Sequence, residues 1–124
     1  MRRETVIFLE NLPLFLEVGS AKLVHSRPFV RRLGLSAIIG VVGKHEAADF
    51  FRENPEGLLF RGHSHKPEMI DRRNNKVRFS SLSAGQTIDL TGNRPCIVTC
   101  GALKSGFVMT SEPKSGRFTC CSCR

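Results

Sequence analysis

The chain has 124 residues, a hydrophobic fraction of 40% and a charged fraction of 24%, enough for one domain with one core and ordinary for a globular protein. Nineteen Lys and Arg against 11 Asp and Glu give a net charge of +8, which favours polyanionic partners such as nucleic acid or phosphorylated ligands. No apolar run reaches membrane-spanning length, and the short apolar run at Val6 is cut by Glu10 before it could form a signal-peptide core, so a cytoplasmic protein with no membrane partner is expected.

Residues 4–11 read as the end of a helix, stopped at Leu12-Pro13. Residues 14–18 and 21–25 flank Gly19-Ser20 and read as a β-hairpin ending in His25. Arg27-Pro28 leaves it in an irregular loop, and residues 33–42 are apolar and Gly-punctuated with no clear period. Residues 44–53, with Ala47, Ala48, Phe50 and Phe51, suit a short helix that starts near His45 and ends at Asn54-Pro55-Glu56-Gly57. A short buried strand, residues 57–60, then delivers Gly62-His63-Ser64-His65. This helix-to-strand unit carries a polar site at the carboxyl end of its strand, where open α/β sheets place their ligands.

Further on, Met69-Ile70 and residues 76–79 flank a polar turn over residues 71–75. Residues 80–90 alternate weakly, residues 95–100 form a strand, and residues 101–106 a Gly-bounded loop. Residues 107–110 and 117–120 complete a final hairpin. Of the five cysteines, Cys96 and Cys100 fall in an apolar strand run, and Cys120, Cys121 and Cys123 in a tail expected to be reactive. An odd count argues against a disulfide framework, and the tail spacing matches no standard zinc pair. The nine Phe are spread through core patterns, and the chain lacks the Trp and Tyr that best stack on single-stranded nucleic acid. The elements predict an α/β fold with a mixed, strand-rich sheet and flanking helices.

His63 and His65, separated by one small residue after a strand, can be aimed into one pocket, and neutral imidazole is the commonest metal ligand. Gly62 is expected to let the backbone bend there. The other reading is a polar turn at a strand end, and for His25 a surface histidine. Arg61 and Lys66 flank the histidines and are candidates to hold phosphate. For Arg27, Arg31 and Arg32 solvated charge is the default.

A strand ending in His25, a helix, a strand ending in Gly62-His63-Ser64-His65-Lys66-Pro67 and a later Thr99-Cys100-Gly101-Ala102 loop together resemble, in order and spacing, the carboxyl-terminal half of the calcineurin-like metallophosphoesterases. The Gly-His-Ser-His run is similar to the family's Gly-His-Thr/Ser-His signature. The resemblance implies the second half of an αββα sandwich, with residues 1–124 as a single partial domain. It implies that His25 and His63 ligate one ion of a dinuclear manganese, iron or zinc centre and that His65 ligates the other, in a hydrolase acting on a phosphoester substrate.

The family's Asp-x-His, Gly-Asp and Gly-Asn-His motifs are not found in this sequence, and Ser26 follows His25 where a glycine is usual. Without a bridging carboxylate two close dications repel, so this chain alone is expected to hold at best one weak ion. Three roles stay open: a short hydrolase completed by a second copy or a missing amino-terminal half, a non-catalytic basic module binding a phosphorylated ligand, or a nucleic-acid binder. An apolar sheet face left uncovered by the missing half predicts self-association.

Overall fold

Ala47, Phe50 and Phe51 recur at the spacing that puts one face of a helix against a core, and in the computed structural model, which describes residues 2–28 and 39–123, all three are buried on α2 (Lys44–Glu53). The helix α1 (Arg3–Glu10) precedes it. Gly43 N–H donates to the Glu46 carboxylate (3.1 Å) and starts α2. Asn54 closes it, its backbone and side-chain nitrogens both donating to the Phe50 carbonyl.

The large sheet has six strands in the order β1 (Phe15–Val18), β2 (Ala21–Val24), β3 (Leu58–Arg61), β7 (Cys96–Cys100), β4 (Pro67–Arg73) and β5 (Lys76–Ser81). The strands β2, β3 and β7 run parallel, while β1, β4 and β5 join antiparallel to their neighbours. A second, antiparallel sheet has the order β6 (Thr87–Asp89), β9 (Arg117–Ser122) and β8 (Phe107–Glu112). The fold is therefore α/β, with a mixed main sheet and flanking helices.

Alternation along β3 and β7 divides the core in two. Leu58, Cys96, Val98 and Met69 face the second sheet and pack with Leu82, Ile88, Leu90 and Phe118; Phe60 stacks on Phe118 at 5.4 Å between ring centroids. Leu59, Ile97 and Ile70 face the other way, onto Ala47, Phe50 and Phe51 of α2. With both faces covered, β7 reads as a continuous apolar run. The uncovered apolar surface is thus not the open sheet face that the sequence predicts. Among the described residues most of it lies instead on α1 and on the edge strand β1, where Val6, Ile7, Phe8, Leu9, Phe15, Leu16 and Val18 are exposed.

Two other expectations are corrected. The polar turn over residues 71–75 is only Asn74-Asn75, both with positive φ (49° and 59°), as a two-residue hairpin turn requires. Asp71 lies inside β4, its side chain 3% exposed, and accepts two hydrogen bonds of 3.1 Å from Arg78. The cysteine tail is also strand: Cys120 is buried on β9, and only Cys123 of the three is exposed. Burial raises the Cys100 and Cys120 thiol pKa values and pushes Cys96 up to about 12, so these three are poor nucleophiles at neutral pH. Residues 29–38, with Arg31, Arg32 and most of the Gly-punctuated run, lie outside the described residues.

Candidate metal and phosphate site

Because β2 and β3 are parallel neighbours with Val24 opposite Arg61, the residues that follow them, His25 and Gly62-His63, leave the sheet side by side. Two backbone bonds fasten the ends together, Gly62 N–H donating to the carbonyls of Val24 (3.3 Å) and His25 (3.1 Å). The chain then turns over three residues, Ser64 N–H reaching the Gly62 carbonyl at 2.8 Å. The bend is taken by His63, at φ 60°. A side chain there costs about 1 kcal/mol, and a non-glycine residue held in that region at a strand end points to a functional constraint. Gly62 itself leaves room: a Cβ there would sit 3.4 Å from the His25 carbonyl oxygen and 3.9 Å from His25 Nδ1.

The turn swings the His63 ring against His25, with centroids 5.6 Å apart and planes at 78°. His25 is exposed and His63 half-buried, so both imidazoles meet where solvent and ligand can reach. Ser26 is buried, and its hydroxyl donates to the Gly40 carbonyl, so a serine is accommodated at this strand end. His65 is exposed two residues further on, after a turn in which Lys66 N–H reaches Ser64 Oγ at 3.4 Å. Among the described residues no group of three His, Cys, Asp or Glu side chains is placed to hold an ion. The structure thus brings His25 and His63 together and does not add His65 or a carboxylate to them.

The two flanking cations part company. Lys66 is exposed, whereas Arg61 is buried on β3, and burial lowers its pKa below the ordinary guanidinium range, Glu68 offsetting part of the effect. Thr99, fully buried at the register position beside Arg61, was not marked as a site residue by the sequence; a hydroxyl inside an apolar strand run was its only signal. After it, Gly101 takes φ 74°, and a Cβ there would lie 3.0 Å from Pro67 Cγ and 3.2 Å from Phe107 Cβ, so the loop that leaves β7 past Pro67 toward β8 needs glycine. His45 sits exposed at the start of α2, away from any assigned role.

No protein-family model and no curated protein matches this chain. Among solved structures, it is similar to the crystal structure of a metallophosphoesterase from Sphaerobacter thermophilus, with a TM-score of 0.72 and 22% identity over 98% of this chain and 52% of that one. The likeness is one of fold. The chain spans about half the length of that metallophosphoesterase. No helix among the described residues is long and apolar enough to cross a membrane.

Proposed function

We propose that this chain is the histidine-bearing half of a metal-dependent phosphoester hydrolase of the calcineurin-like type, a single partial domain that is incomplete as a catalyst alone. The observation that carries the reading is the pairing of His25 and His63, edge to face at 5.6 Å, at adjacent strand ends of a metallophosphoesterase fold. In the complete site these two imidazoles would ligate a divalent ion, manganese, iron or zinc, which polarises phosphoryl oxygens and activates water. His65 would serve the second ion. Without a carboxylate beside the pair, the described residues do not fit a dinuclear centre, and no step of hydrolysis is derived through one.

The missing ligands call for a second unit, and the exposed α1–β1 edge is where it would dock. The helix α1 has eight residues and buries none, and an isolated helix shorter than about 12–15 residues is marginal in water. Among the described residues the strand β1 pairs on one side only, with β2, and leaves an unpaired edge. A unit that continues the sheet beyond β1 would cover both; it is an amino-terminal half or a second copy of this chain. The alternative, a non-catalytic basic module for a phosphorylated ligand or nucleic acid, draws on the charge of +8 and the missing carboxylates.

Manganese binding separates the two readings. The account expects at most one weak ion per chain, lost in the His63→Ala/His65→Ala double variant, with no metal-dependent turnover of p-nitrophenyl phosphate by the chain alone. Manganese binding unchanged in the double variant would overturn it and leave the basic-module reading.

A further inference from the structure

One row of side chains crosses the large sheet at the carboxyl end of its parallel strands. Val24 pairs with Arg61, Arg61 with Thr99, and Thr99 with Glu68. Side chains two residues apart on a strand share a face, and Leu59, Ile97 and Ile70, each two residues from a member of this row, pack with Val24 onto the residues of α2. The row therefore faces the helix layer. On the neighbouring row the same three strands β3, β7 and β4 carry Leu59, Ile97 and Ile70, all apolar, with Lys22 on β2, whereas here those strands carry Arg61, Thr99 and Glu68, all polar.

Two of the three lack partners. Arg61 is 4% exposed and Thr99 is 0% exposed, and among the described residues neither Arg61 Nε nor Thr99 Oγ1 has a hydrogen-bond partner. No described carboxylate lies within ion-pair reach of Arg61; Glu68 acts on it only at longer range. Buried polar atoms are almost always bonded, and a buried guanidinium without a paired anion is costly. A guanidinium with an unpartnered Nε and an unpartnered hydroxyl at paired register positions on one face match the oxygens of a tetrahedral oxyanion. The row ends one residue short of His25 and Gly62, so an anion held there would lie against the histidine pair.

We infer that Arg61 and Thr99 form the phosphoryl-oxygen subsite of the histidine site, accepting a phosphomonoester or inorganic phosphate through hydrogen bonds donated by the Arg61 guanidinium and the Thr99 hydroxyl. The choice of phosphate over other oxyanions rests on the phosphoesterase reading; the demand for an anion does not. Lys66, exposed beyond the turn, is no part of this subsite.

The test uses the full 124-residue chain in excess chelator, so that no metal contributes. Thermal unfolding is followed against inorganic phosphate, and separately phenyl phosphate, with chloride at matched ionic strength as reference. Phosphate should stabilise the chain saturably beyond chloride. Thr99→Val, which keeps the shape, should weaken apparent affinity roughly tenfold, the loss of one bond to a charged group, and Arg61→Met should abolish saturation. Saturation by inorganic phosphate alone marks a site for the free ion; saturation by both marks one for monoesters. No excess over chloride, or equal affinity in wild type and variants, overturns the inference. Should Arg61→Met fail to fold, Arg61→Lys, a point charge without the fork, decides together with Thr99→Val. Phosphate binding that survives His63→Ala/His65→Ala separates this result from the metal reading, since either can then fail alone.

Discussion

The middle of the large sheet and its β1 edge are built from similar residues and end in opposite environments. Leu58, Leu59, Ile97 and Val98 on β3 and β7 are buried, one face under the second sheet and the other under α2. Phe15, Leu16 and Val18 on β1 and Val6, Ile7, Phe8 and Leu9 on α1 are exposed, and with Leu12 they make up eight of the thirteen exposed large hydrophobic residues among those described. Apolar content marks a strand as wanting cover; only a neighbouring layer supplies it. The centre has its two layers within this chain. The edge has none, and that asymmetry is what half of a larger sheet would show.

The comparison breaks most visibly through stability and association together. Phe50→Ala should cost about 3–5 kcal/mol in urea unfolding, as loss of a buried aromatic does. Phe8→Lys with Leu16→Lys should cost less than about 0.5 kcal/mol each while removing concentration-dependent self-association in sedimentation velocity. A large stability loss in the lysine variant would show that α1 and β1 are packed as the centre is. A wild type that sediments as a sharp monomer at high concentration would show that the edge needs no cover.

A smaller effect sharpens the view of the site. Because His63 holds φ 60°, His63→Gly should be more stable than His63→Ala by about 1 kcal/mol in the same unfolding measurement. Equal stabilities would remove the strain and with it the argument that the turn is held for function.

Much of this was legible in the sequence because it is local. The spacing of Ala47, Phe50 and Phe51 announces α2, and the apolar runs before His25 and Gly62 announce strands whose ends carry the histidines; that the two strands are parallel neighbours came only with the structure. What was not legible depends on pairing between distant residues. Asp71 reads as part of a polar turn until Arg78, its cross-strand partner, makes it a buried strand residue. Cys121 reads as tail until its pairing with Val108 carries β9 on to Ser122. The row of Arg61, Thr99 and Glu68 comes from three strands, so no window of sequence contains it.

The claim on which the account turns is that His25 and His63 form one metal-binding pair. Imidazole resonances of the four histidines, followed by NMR as manganese is added well below one equivalent, test it most directly, with His45 on α2 as an internal control. The account predicts that the His25 and His63 signals broaden together, and at a lower manganese ratio than His45. Signals of His25 and His63 that stay sharp, or that broaden no more than His45, would contradict it.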